Sequence, residues 1–171
     1  YPEIKELKKI IDKIKIFSPQ LIIAVGGGSV LDYAKIANVL TYETDIENKV
    51  INTSYKTKKF TKLLGIPTTA GSGAEVTTNA VIYVDNIKYS VEGSDLRPDF
   101  YFLIPELVIG SSMTIKASAG FDAIAQAIES LISKKSNRES VEFSKKSLIF
   151  SIKNYLNYLN SPSYENTSAM C

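Results

Sequence analysis

Three short segments hold the residues whose types and spacing could do chemistry. The first is Gly26-Gly27-Gly28-Ser29, placed between the apolar run Leu21–Val25 and the helical pattern of Val30–Leu40. Glycines there let backbone come close to a ligand. The helix that follows aims free N–H groups and the positive end of its dipole at the turn, which favours a phosphate, and Ser29 can add a hydroxyl donor. The turn is not GxGxxG, and it lacks the lysine of a Walker A loop. The same four residues also suit a tight turn with a serine cap. Asp32 and Lys35, which complete GGGSVLDYAK, read equally as first-turn helix charges or as site groups.

The second segment, Pro67-Thr68-Thr69-Ala70-Gly71-Ser72-Gly73, puts three hydroxyls and two glycines just after a short apolar strand pattern, Lys62–Pro67. Ligands of parallel sheets sit beyond the carboxyl ends of strands. An ordinary serine and threonine loop is the alternative. The third segment is Ala119–Glu129, where Asp122 and Gln126 are four residues apart and share one helical face. A buried acid on such an alanine- and isoleucine-rich helix would need a partner. Read alone, Asp122 is a charge near a helix N-terminus.

Composition narrows the chemistry. The 171 residues contain no histidine, so any imidazole base or ligand must come from elsewhere. The one cysteine, Cys171, can form no disulfide within the chain, which fits a reducing cytoplasm. The formal net charge is only +2, with lysines alternating with acids. The densest basic run, Lys56–Lys62, reads as a solvated loop, so nucleic acid is not the expected partner. No apolar run reaches the roughly 18 residues that span a bilayer, and the charged start, Tyr1–Lys9, is not a secretory signal.

The elements that must position these segments follow from periodicity. Ile4, Leu7, Ile10, Ile11 and Ile14 predict an amphipathic helix over Pro2–Ile16, stopped by Ser18 and Pro19. Leu21–Val25 is a continuous apolar run, as in a strand buried on both faces. Thr41–Thr61 is polar and reads as a loop with short elements. Val76–Val84 and Lys88–Glu92 predict a β-hairpin, and Phe100–Ile104 a further strand. From Ser112 the pattern is helical only: Thr114–Ile132, Glu139–Leu159 and Ser163–Cys171. The expected fold class is α/β, a parallel-sheet dinucleotide-binding domain (1–110) followed by the beginning of an all-helical domain (111–171).

Taken together and in this order, GGGSVLDYAK (Gly26–Lys35), GIPTTAGSGAEVT (Gly65–Thr77) and AGFDAIAQAIES (Ala119–Ser130) resemble the iron-containing alcohol dehydrogenase family. LRPDFYFLIPEL resembles the link between that family's two domains. The resemblance runs from about Gln20 to Ser133 and more weakly to Cys171. It implies an NAD- or NADP-binding domain, then a helical domain holding a divalent metal, Fe2+ or Zn2+, with a small alcohol or aldehyde as substrate. It implies that Gly27, Gly28 and Ser29 meet the cofactor pyrophosphate. Thr68, Thr69 and, more weakly, Ser72 would lie towards its adenine and ribose side, and Lys88 would reach the nicotinamide-side ribose.

Asp122 matches a metal ligand in the same family, and Gln126 stands where the family usually has histidine. Glutamine is the poorer donor for iron or zinc. The resemblance names no catalytic side chain in this stretch. It implies a chain cut at both ends, with an incomplete cofactor pocket and no activity by itself. Self-association is left open. Two other readings stand beside the dehydrogenase. One is a nucleotide-binding pseudoenzyme that has lost its metal. The other is a glycerol dehydrogenase-like or dehydroquinate synthase-like enzyme, against which the TTAGSGAEVT spelling argues.

Overall fold

A computed structural model describes residues 1–171. The chain forms two compact units: Tyr1–Pro67 with Ala74–Phe102, and Thr68–Gly73 with Leu103–Cys171. No helix is long and apolar enough to cross a membrane.

In the first unit, α1 (Ile4–Phe17) buries Ile4, Leu7 and Ile11, the one-face stripe that the periodicity predicts. It ends at Ser18, which adopts the left-handed conformation and returns its N–H to the Ile14 carbonyl. Strands β1 (Leu21–Gly26) and β2 (Lys62–Pro67) pair in parallel, from Leu21 opposite Lys62 to Gly26 opposite Pro67. Between them in the chain come α2 (Gly28–Leu40) and the short α3 (Ile46–Ile51). A two-residue strand, β5 (Phe100–Tyr101), extends the sheet in the order β1-β2-β5, also in parallel. The hairpin β3 (Asn79–Val84) and β4 (Ile87–Glu92) is antiparallel. Its turn residues Asp85 and Asn86 both have positive φ, 47° and 64°, the backbone of a two-residue turn that suits strand twist.

Helix α2 is the centre of this unit. It buries every residue from Ala34 to Leu40. Ile36, Val39 and Leu40 pack in one cluster with Leu7 and Ile11 of α1, Ile82 and Val91 of the hairpin, and Leu96.

In the second unit, α4 (Pro105–Ile109) begins with proline at its first turn, where the missing N–H costs nothing. Helix α5 (Met113–Ile132) is capped by Ser112, whose hydroxyl accepts the Ile115 N–H. Asn137 and Ser140 form a reciprocal capping box at the start of α6 (Arg138–Asn160). Ser163 caps the short α7 (Tyr164–Ser168). Helices α5 and α6 meet at Gly120, where an added Cβ would lie 2.7 Å from the Tyr155 ring. The Tyr155 hydroxyl donates to the Ala117 carbonyl at 2.8 Å.

Several sequence expectations need correction. In β1, Ala24 is buried, but Leu21, Ile23 and Val25 are 43%, 56% and 50% exposed, so one face is covered and not two. An all-apolar run hides the period-2 alternation that would have told the faces apart. The strand expected over Phe100–Ile104 shrinks to Phe100–Tyr101, because Ile104 is already the N-cap of α4. The first strand of the hairpin starts at Asn79, and Val76–Thr78 lie in the turn before it.

Asp99 pins β5 to β2. Its carboxylate accepts the Leu63 N–H at 3.0 Å and ion pairs from Lys59 and Lys62 at 2.9 Å each. Burial alone would push this carboxyl up, but the bonds from Lys62, Lys59 and Leu63 outweigh it and hold it at about 2. A carboxylate depressed in the folded state contributes stability above its unfolded value and loses it as pH falls towards the folded one. Asp99→Asn is therefore expected to flatten the fall of stability between pH about 4 and 2. Urea titrations at several pH values measure this; parallel curves for wild type and variant would refute it.

Candidate cofactor-binding site

The first glycine turn lies where β1 hands over to α2. Gly27 is the N-cap, in extended backbone (φ −73°, ψ −179°), and no side chain caps the helix. The serine-cap reading of this turn is thus corrected: Ser29 sits inside the first turn, with its side chain exposed. The Gly27 carbonyl accepts the N–H groups of Val30 and Leu31 at 3.0 and 3.2 Å. The N–H groups ahead of these have no partner within the helix. Gly26 is dictated by close approach, since a Cβ there would meet the Val30 side chain at 2.6 Å.

Asp32 and Lys35 are not first-turn charges either; the first turn of α2 carries no acid. Asp32 accepts the Val81 N–H of β3 at 3.1 Å. Burial pushes its carboxyl up, opposed by that backbone bond and by the charges of Lys35 and Lys88. Lys88 is exposed on β4, paired with Tyr83. Lys35 is fully buried, and its ammonium donates to Ala74 O, Thr77 Oγ1 and Asn79 O. No local pattern around Lys35 marks this side chain as pointing inward.

The second glycine turn leaves β2 at Pro67, directly across the ladder from Gly26. Residues Thr68–Gly73 pack with the helical unit. Ala70 is buried against Val108 and Tyr158, and the Thr68 carbonyl accepts a long hydrogen bond from the Ser111 hydroxyl, 3.4 Å. Thr68, Thr69 and Ser72 are half-buried. A Cβ on Gly71 would fall 2.0 Å from the Ala119 carbonyl oxygen. Gly73 has φ +61°, a conformation glycine adopts without penalty.

Asp122 lies in the middle of α5 and not near a helix start, and α5 has no acid in its first turn. Asp122 and Gln126 are both exposed. The Gln126 amide donates from Nε2 to Asp122 Oδ2 at 2.6 Å. No group of three or more His, Cys, Asp or Glu side chains is placed to hold a metal ion. One carboxylate that already accepts an amide N–H falls short of the three or four ligands of a tight site. The residues of this chain do not fit a divalent metal by themselves.

Residues 1–105 match the family model described as iron-containing alcohol dehydrogenase. The chain belongs to that family. It is 32% identical over 135 residues to an alcohol dehydrogenase of Thermococcus barophilus, a match covering 75% of this chain and 36% of that protein. It is 33% identical over 134 residues to a 1-propanol dehydrogenase of Salmonella typhimurium, covering 77% and 33% of the two chains. Its fold matches the sulfoacetaldehyde reductase of Bifidobacterium kashiwanohense in complex with NAD+, with a TM-score of 0.91, 26% identity, and coverage of 99% and 46%. An iron-containing alcohol dehydrogenase of Thermotoga maritima gives a TM-score of 0.87 at 27% identity, with the same coverage. The chain therefore spans less than half of these relatives. The parallel-sheet α/β fold expected from the sequence is the fold these family structures share.

Gly71→Ala tests the packing of the second turn. The new methyl meets main chain and not a flexible side-chain end, so a cost of about 1–3 kcal/mol is expected. Gly110→Ala, where a Cβ meets nothing within 4 Å, serves as the control. Chemical denaturation reads both; equal midpoints for the two variants would contradict the close approach at Gly71.

Proposed function

We propose that this chain is the cofactor-binding portion of an NAD(P)-dependent dehydrogenase acting on a small alcohol or aldehyde. The observation that carries the reading is the uncapped N-terminus of α2, set directly after β1 with glycine as its N-cap. A cofactor pyrophosphate fits there, because backbone N–H groups and the helix dipole face it and no side chain intervenes. The family supports the activity class, and the NAD+ complex of the Bifidobacterium reductase supports NAD as the cofactor.

In this reading the N–H groups of Gly27, Gly28 and Ser29, with the Ser29 hydroxyl, hold the pyrophosphate. Thr68 and Thr69, with Ser72 in a lesser role, serve the adenine and ribose side. Lys88 serves the ribose next to the nicotinamide. When bound, the nicotinamide ring takes or gives the hydride; the chain's own part is to bind and orient it. In this reading residues 1–110 carry the cofactor domain, although Thr68–Gly73 and residues 103–110 belong to the helical unit, and 111–171 begin the helical domain, to which Asp122 would give one metal ligand. Since Asp122 and Gln126 do not make a metal site alone, no step is assigned to a metal.

A second reading, a nucleotide-binding protein without dehydrogenase activity, draws on one observation: Asp122 is engaged by Gln126 where the family usually has histidine. Activity separates the two. The full-length protein is assayed with NADH and NADPH against short aldehydes. Turnover supports the dehydrogenase, and NADH binding without turnover supports the second reading. Gly28→Val is expected to weaken NADH binding by about 1 kcal/mol or more, because the branched side chain occupies the phosphate's approach. Fluorescence titration measures this, and unchanged affinity in a folded variant would remove the turn from the cofactor site.

A further inference from the structure

Lys35 is a cation with no exposed surface, in the middle of the most buried helix of the α/β unit. Burying an ammonium is costly unless every N–H is satisfied. Here each is. The three protons have three oxygens: Ala74 O at 2.9 Å, Thr77 Oγ1 at 2.7 Å and Asn79 O at 2.6 Å. All three acceptors belong to one stretch, residues 74–79. This is the segment by which the chain returns from the Thr68–Gly73 loop to β3.

Residues 74–78 form neither helix nor strand. Side chains reaching over from α2 tie them down, together with the Gly93 N–H, which donates to the Thr78 carbonyl at 3.0 Å. Lys35 holds Ala74, Thr77 and Asn79, and Asp32, one turn earlier, holds Val81 through its N–H. The clamp begins at Ala74, the residue after the positive-φ Gly73.

We propose that Lys35 is a positioning residue for cofactor binding, whose ammonium fixes the return segment Ala74–Asn79 and so the point at which the chain comes back from the Thr68–Gly73 loop. Lys35 does not touch the cofactor. The inference rests on the reading of that loop as part of the cofactor site.

The proton count makes the idea testable. A neutral amine has two N–H groups for the three oxygens, so deprotonation breaks one of the three bonds. Burial lowers the Lys35 pKa to about 8, while the carboxylates of Asp32 on α2 and Glu75 on the return segment favour the charge. Lys88 of β4 acts on Asp32 from the other side. The sign for stability is opposite to that for the clamp. A lysine lowered from 10.5 to about 8 binds fewer protons folded than unfolded between those values. Its contribution to stability therefore rises with pH across that window, while the clamp loosens. A merely structural role would move both in the same direction.

The test uses the full-length protein, with hydrogen exchange over residues 74–81, NADH fluorescence titration and urea denaturation from pH 7 to 9. Lys35→Met keeps length and packing but removes all three bonds. It is expected to speed exchange in this stretch and to weaken NADH binding by about tenfold or more. Thr77→Val removes one acceptor and should cause a loss of about two- to fivefold. The wild-type affinity should fall as pH passes about 8, and the Lys35→Met affinity should not follow it. Wild-type exchange and affinity with Lys35→Met, or the same pH slope in both proteins, overturns the proposal. If Lys35→Met does not fold, Thr77→Val decides, and wild-type behaviour there overturns it. If wild-type protein binds no NADH, the cofactor reading fails instead, and unchanged exchange at 74–81 would still dismiss the clamp.

Discussion

The parallel pairing of β1 with β2 is the constraint on which the rest depends. Its register runs without a break to Gly26 opposite Pro67. Each strand then gives way at once to a glycine-rich segment. Two stretches about 40 residues apart in the chain therefore leave the sheet from the same rung of adjacent strands, at its carboxyl edge, where open α/β sheets bind ligands. A slip of one residue would turn Leu63, which is 2% exposed, to the opposite face and carry both departures out of line.

Helix α2 connects this edge to the core. One end offers unpaired N–H groups, and the other end is buried among α1 and the hairpin. The two glycines at closest approach do different work. Gly26 lets the helix start hard against the strand, and Gly71 lets the loop lie on the Ala119 carbonyl. In each case the constraint is the space a Cβ would fill, so any other side chain forces main chain or a branched neighbour to move.

The charged groups of the α/β unit show why polarity in a sequence is a poor guide to location. Asp99 and Lys35 are both held by several bonds, but with opposite effects on their pKa. Asp99 has partners that outweigh burial and is held low. Lys35 has neutral oxygens as its direct partners, so burial prevails and lowers it. On α5 the pair Asp122 and Gln126 stays exposed and satisfies itself. A shared helical face brings two side chains together, and it takes further ligands to make a metal site.

The sequence by itself determined the order of the longer elements, because helical and strand periodicities are local. The stripe of α1, the strands β1 and β2, the hairpin and the two long helices α5 and α6 were legible, whereas the five-residue α4 was too short to leave a period. So was the family, since three glycine- or alanine-rich motifs in fixed order specify more than any one of them. Only the tertiary structure decided which face of β1 is covered, because Leu21–Val25 is apolar at every position and its alternation carries no information. It also decided that Thr68–Gly73 packs with the helical unit, through the contact of Ala70 with Val108 and Tyr158. And it decided that Lys35 is buried. Its acceptors at Ala74, Thr77 and Asn79 lie some 40 residues away, and long-range hydrogen bonds leave no periodic trace in a single sequence.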